Sequence, residues 1–208
     1  MNPLILEDVF FTICDYLDLI EIVKYELISK HHCKMIRQHP WYHPLKINKN
    51  ELLIQLINRY QLKNLDLYYS GVTDETVKLL KCHTLNLRAT AVTDKSVKFL
   101  NCHTLNLCNT KVTDKSVKHL KCHSLNLSCT KVTDESIKHL KCHTLDLSWT
   151  KVTDESVKRL KCHDLNLSFT AVTDERVKHL KCHTLDLWGV NISDETLKLL
   201  KSNGCKIV

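Results

Sequence analysis

The residues best suited to chemistry in this chain are cysteine and histidine side by side. Cys82-His83 recurs as Cys102-His103, Cys122-His123, Cys142-His143, Cys162-His163 and Cys182-His183, one pair every twenty residues. Both side chains are ligands for transition metals, and a structural zinc ion takes four of them in a tetrahedron, from C-x(2-4)-C or H-x(3-5)-H spacings. Neither spacing occurs within a repeat. Adjacent residues at a strand entrance also point to opposite sides, which sends the thiol inward and the imidazole outward. The six cysteines are therefore expected to be reduced core thiols filling an apolar slot, and His83 to His183 an outer row about 5 Å apart. Such a row could pick up a transition ion, or disfavour its own protonation in mild acid, only as side effects. No metal site and no cofactor is expected.

Other catalytic signatures are missing. With three glycines the chain has no phosphate-cradling loop, and it holds neither G-x-S-x-G nor H-E-x-x-H. The recurring Asp and Glu of "TDE" suit helix caps and first-turn charges rather than paired catalytic carboxylates. An enzyme is not expected. The net charge of +7 comes largely from a periodic lysine (Lys78, Lys98, Lys118 and onward) beside periodic acids. That is how a solvated helix row looks, and without a basic-and-aromatic motif it does not imply nucleic acid. No run of about 18 apolar residues exists, and the N-terminus has no basic leader and meets acids at Glu7 and Asp8, so no membrane span or export signal is expected, and the cytoplasm is the expected location. The odd count of eleven cysteines fits reduced thiols there.

What positions these residues is the repeat itself. Seven units start at Leu62, Cys82, Cys102, Cys122, Cys142, Cys162 and Cys182, with the pattern C-H-T-L-N-L-x-x-T-x-V-T-D-x-x-V-K-x-L-K. The first half alternates, so Leu105 and Leu107 share one face and Thr104 and Asn106 the other, the signature of a half-buried strand. In the second half Asp114 stands as a helix N-cap, and Val117 and Leu120 follow three apart on one helical face. A helix this short is unstable alone, so the units must stack. The result is an α/β solenoid: a horseshoe with a parallel sheet on its concave side and short helices on its convex side. Thr90, Thr110, Thr130, Thr150 and Thr170, with Ser70 in the first unit, should turn hydroxyls inward to the backbone of the bend. The row Asp66, Asn86, Asn106, Asn126, Asp146, Asn166 and Asp186 should tie neighbouring strands by side-chain bonds.

This pattern resembles the leucine-rich repeat, L-x-x-L-x-L-x-x-N/C/T-x-L, and within it the cysteine-containing type, with cysteine in the first leucine slot and threonine in the Asn/Cys slot. The resemblance covers residues 62 to 201. Residues 42 to 61 fit the phase weakly, with Leu45 and Ile47 as a strand pair and Ile57 and Tyr60 as a helix pair, which reads as a degenerate capping repeat. Residues 202 to 208 place Cys205 and Ile207 in strand slots, as a closing edge strand.

Residues 1 to 41 break the period. Leu6, Val9, Phe10, Ile13 and Leu17, then Ile20, Val23 and Leu27, lie at helical spacing, with more apolar surface than forty residues can hide. The order Leu4, Val9, Ile13, Tyr16-Leu17, Leu19, "LISK" at Leu27 to Lys30 and Trp41 resembles an F-box, although the usual Leu-Pro is Pro3-Leu4 and His31-His32 follow the lysine. The resemblance implies docking of a Skp-type adaptor of a cullin-RING ubiquitin ligase through Pro3, Leu4, Val9, Ile13, Leu17, Leu19 and Leu27. The whole then looks like an F-box/leucine-rich-repeat substrate receptor. Its near-identical Lys/Asn/Ile-rich copies are similar to those of amoeba-infecting giant DNA viruses, which would make the location a host cytoplasm.

A target protein is expected on the concave face, where the repeat varies. Trp149, Phe169 and Trp188 form one expected cluster and Tyr68, Tyr69 and Arg88 another, with Asn109 between, because exposed Trp, Tyr and Arg are the usual hot spots. Two alternatives stand beside the ligase receptor: a freestanding repeat scaffold whose N-terminal segment is a cap, and a metal-binding protein.

Overall fold

The structure is a computed structural model that describes residues 30–41 and 44–208. The adaptor-binding candidates Pro3, Leu4, Val9, Ile13, Leu17, Leu19 and Leu27 lie outside the described residues.

The alternating half of each unit forms a strand of three residues: Asn64–Asp66, Thr84–Asn86, Thr104–Asn106, Ser124–Asn126, Thr144–Asp146, Asp164–Asn166 and Thr184–Asp186. With Leu45–Lys46 before them and Lys206–Ile207 after, they lie in sequence order in one nine-stranded parallel sheet. The register is the repeat: Leu85 pairs with Leu105, Leu105 with Leu125, and Leu125 with Leu145. Parallel neighbours require a crossover, and each unit up to that from Cys162 supplies one as a single helical turn, such as Asp94–Val97 or Asp114–Val117, while the last does so as the longer helix Asp194–Ser202. The solenoid expected from the sequence is what the chain builds.

The core is a stack of identical layers. In the unit from residue 102, Cys102, Leu105, Leu107, Val112, Val117 and Leu120 are all buried, and the same slots are buried in the units around it. At roughly 25 cal/mol per Å² of apolar surface removed from water, this stacking is the main favourable term. It stabilises one-turn helices that would be marginal in isolation.

Between the layers runs a chain of polar clamps. The helix cap is Thr113, whose Oγ1 accepts from the Lys115 backbone N–H, and not Asp114, which is the first helical residue. The Asp114 carboxylate instead reaches into the next unit, accepting from the Thr133 backbone N–H at 2.9 Å and the Thr133 hydroxyl at 2.7 Å. Asp94 does the same to Thr113, and each carboxylate also accepts from a buried serine hydroxyl of the next unit, Ser116 for Asp94 at 2.6 Å and Ser136 for Asp114 at 2.5 Å. The expectation that the aspartate caps its own helix is thereby corrected. One position earlier, threonine already fills that role, which frees the carboxylate to satisfy the donors of its neighbour.

The bend slot behaves as its residue type suggests. Thr90, Thr110, Thr130, Thr150 and Thr170 each donate a hydroxyl to the carbonyl three residues back, at 2.6 to 2.7 Å. Ser70 departs from this, because its buried hydroxyl has no hydrogen-bond partner. The Asn/Asp row also departs. Its common task is to accept from the backbone N–H two residues on, as Asn86 does from Arg88 and Asp146 from Ser148. Strand-to-strand side-chain bonds within the row form at two places, Asn86 to Asp66 and Asn126 to Asp146, each at 2.8 Å. An amide donates to a carboxylate without rearrangement, whereas the turn already occupies Oδ1 of Asn86, Asn106 and Asn126.

At the N-terminal end Asn50–Ile57 is a helix that buries Leu53 and Leu56, and Tyr60 packs below it. Lys30–Gln38 is a helix whose Ile36 is fully buried in the same core. The buried Trp41 donates its indole N–H to the Ile36 carbonyl, and Pro40–Trp41 pairs in parallel with Gln61–Leu62. Among the described residues no helix is long and apolar enough to cross a membrane.

Candidate protein-binding surface

The Cys-His pairs divide as expected. All six cysteines are buried, and burial pushes their thiols up to about 12, which leaves them protonated and poor metal ligands at neutral pH. Their histidines are exposed and stack ring on ring from His83 to His183, with centroids 4.5 to 4.7 Å apart. That spacing is the inter-strand distance, carried outward by one side chain per strand. Desolvation within the stack, and then the flanking His123 and His83, hold His103 below the usual histidine range.

The opposite rim of the sheet is built differently. Past each strand the chain turns through a left-handed residue: Tyr69, Ala89, Asn109, Cys129, Trp149 and Phe169 have φ between 53° and 57°, and Gly189 has φ of 71°. These residues and the ones before them form the turn that leaves the sheet, so Tyr69, Asn109, Trp149 and Phe169 sit on its rim, not on a concave strand face. This corrects the expected placement. The strand alternation stops two residues sooner than the pattern suggests, because the turn needs a positive φ that no strand residue adopts.

The rim nonetheless brings the expected side chains together. Trp149 stacks on Phe169 at 4.0 Å, and Phe169 meets Trp188 edge to face at 4.9 Å. Trp149 and Trp188 are 58 % and 73 % exposed, an aromatic surface open to solvent. Gly189 makes room for it: a Cβ there would lie 2.5 Å from Phe169 Cε1. In the second cluster Tyr68 and Tyr69 are 6.1 Å apart, and the Arg88 guanidinium lies 5.5 Å from the centre of the Tyr68 ring. Lys46 approaches the same ring at 6.0 Å, so Tyr68 sits between two cations. Lys46 was not legible as a site residue, although strand register, which pairs it with Asp66, carries the signal. Asn109 stands exposed at the same turn position, two units before Trp149 and two after Tyr69. Three strand spacings separate Arg88 from Trp149, roughly 14 Å.

Leu79, Phe99 and Leu199 are exposed at one slot of the helical side, where the units between them carry His119, His139, Arg159 and His179. Variation at that slot was the available signal.

Among known proteins, the family model described as Leucine Rich repeat matches residues 143–161. No curated protein matches the chain. The matched stretch is one unit of an array whose other units share its register, core slots and crossover. Together the array and the match support a leucine-rich-repeat protein, a fold that is typically a non-enzymatic binding scaffold.

Proposed function

We propose that this chain is a non-enzymatic protein-binding scaffold whose docking surface is the aromatic rim, with Trp149, Phe169 and Trp188 as the anchor and Tyr68, Tyr69 and Arg88 as a second contact. The observation that carries this is an aromatic stack held exposed at a strained backbone position. A left-handed conformation costs a residue other than glycine roughly 1–2 kcal/mol, and Gly189 demonstrates that glycine fits the slot. Trp149 occupies it all the same and presents its ring to solvent, as binding anchors do, with the half-buried Phe169 stacked against it from the next such position. Asn109 adds a polar contact between the two.

More finely, the reading is a substrate-recognition subunit of a Skp/cullin/F-box-type ubiquitin ligase, acting in the cytoplasm. Support comes from the resemblance of residues 2 to 42 to an F-box, and a viral origin belongs to that same resemblance. A second reading, the freestanding scaffold, is favoured by Ile36 and Trp41. Both are buried in the core, as a cap would be.

Pull-down of the full chain with a Skp-type adaptor separates the two readings. The receptor requires micromolar binding that Leu4→Asp or Leu17→Asp abolishes, and no binding leaves the scaffold alone. The rim is tested separately by the double variant Trp149→Ala, Phe169→Ala. It should lose the partners that the wild-type chain captures while keeping its far-UV circular dichroism, and unchanged capture would remove the rim from the proposal.

A further inference from the structure

The histidine row contains one chemical irregularity. The residue after each stacked histidine is a hydroxyl in five strands, Thr84, Thr104, Ser124, Thr144 and Thr184, and a carboxylate in one, Asp164. Where the neighbour is threonine, the histidine Nδ1 faces its hydroxyl, as for His83, His103, His143 and His183 at 3.2 to 3.4 Å. At Asp164 the partner becomes a strong ligand. His163 Nδ1 lies 3.1 Å from one carboxylate oxygen, and His143 Nδ1, on the adjacent strand, lies 4.0 Å from the other.

We propose that His143, His163 and Asp164 form a binding site for a divalent transition-metal ion of the zinc, cobalt and nickel class, through the two Nδ1 atoms and a carboxylate oxygen. The three ligand atoms already lie within 4.8 Å of one another. A tetrahedral ion with bonds of about 2.0–2.2 Å holds its ligands roughly 3.3 Å apart. His163 Nδ1 is near that separation from Asp164 Oδ1, whereas His143 Nδ1 is 4.0 Å from Oδ2, so one ion held by a single oxygen needs the carboxylate to rotate as well as the rings to close. The two rings are 4.5 Å apart and within 15° of parallel, so their in-plane Nδ1 lone pairs run side by side, and binding would turn at least one ring out of the stack toward the carboxylate.

Two imidazoles and one carboxylate suit a borderline cation and not calcium or magnesium, which take all-oxygen sets. Three protein ligands on an exposed edge leave a fourth position to water. The Thr144 hydroxyl, 3.4 Å from Asp164 Oδ2, would act as the outer partner that orients the carboxylate. Cys162 takes no part, because its thiol is turned into the core. The site is on the rim opposite the aromatic cluster, so it stands or falls independently of the docking proposal.

The test is titration of the chelator-treated full chain with Co²⁺, followed by its d–d absorption, and with Zn²⁺ by calorimetry. One ion per chain is expected. Asp164→Thr installs the residue that neighbouring strands carry and so preserves the sheet. It should weaken binding by roughly ten-fold or more, the scale on which even outer partners act. His103→Ala, further along the row, should leave the affinity unchanged. The proposal is overturned if the wild-type chain binds no ion, if Asp164→Thr binds like wild type, or if His103→Ala weakens binding equally, which would assign uptake to the row as a whole.

Discussion

At the scale of single residues, the informative slot is the turn after each strand. Six residues other than glycine hold φ between 53° and 57° there. Asparagine tolerates this conformation, alanine and the aromatics do not, and at Ala89 there is no ring to justify it. Ala89→Gly should therefore stabilise the protein. Relief of roughly 1–2 kcal/mol of left-handed strain, less about 0.5–1 kcal/mol for the entropy that glycine loses on folding, leaves a net gain of about 0.5–1 kcal/mol, read as a higher urea midpoint at unchanged slope. Gly189→Ala is the mirror experiment and should cost more than Ala89→Gly gains, since it adds both strain and a close approach to Phe169. A midpoint unmoved by Ala89→Gly would mean that the turn relaxes, and the strain argument for Trp149 and Phe169 would lose its basis. None of this was legible from residue types. Only Asn109 and Gly189 are residues that advertise a positive φ, and the alternation of the preceding strand ran on smoothly enough to place Tyr69 and Trp149 on its face.

At the scale of elements, "V-T-D" is a joint between helices. The valine is core, the threonine caps its own helix while donating backward, and the aspartate reaches forward. Burial raises the carboxyl pKa of Asp94, but hydrogen bonds from Ser116 and Thr113 outweigh it and hold the value below the usual range; Asp74 and Asp134 respond in the same direction. A folded-state pKa below the unfolded one gives stability that is complete above the ordinary aspartate value of about 3.9 and disappears as the pH falls through the lower folded-state value. The contribution of these clamps to the denaturant midpoint should thus be flat near neutrality and drop below about pH 4, whereas His103, with its lowered pKa, removes stability already as the pH falls through the ordinary histidine value of about 6.5. Asp94→Asn should lose about 1–2 kcal/mol at neutral pH through its charge-assisted bonds, and its acid limb should be shallower than that of wild type. An acid limb identical to wild type would assign the acid sensitivity elsewhere. The core slots of these elements could be read directly, because Leu105 and Leu107 follow a period of two and Val117 and Leu120 a spacing of three within one unit. The clamp could not, since its partners are 19 and 22 residues apart and become neighbours only when register is known.

At the scale of the whole molecule, the stack behaves as a one-dimensional array in which each unit touches mainly its neighbours. The sheet order follows the sequence without exception, and the pairing advances by one unit at every step. Removing one whole unit should then leave every remaining contact available in kind. Deletion of residues 102 to 121 would bring the unit from Cys82 against that from Cys122. Asp94 would meet Thr133 and Ser136 in place of Thr113 and Ser116, His83 would stack on His123, and Leu85 would pair with Leu125. The shortened chain should keep the circular dichroism of the parent per residue and unfold at a lower urea midpoint, having lost one layer of core. Deletion of residues 102 to 111 removes half a period instead, setting a strand against a crossover and leucines against the slots of Thr and Lys. That chain should lose its cooperative transition. Equal damage from the two deletions would mean that the units are not interchangeable, and that the ends, where Ile36 and Trp41 enter the core and Lys206–Ile207 closes the sheet, govern the stability of everything between them.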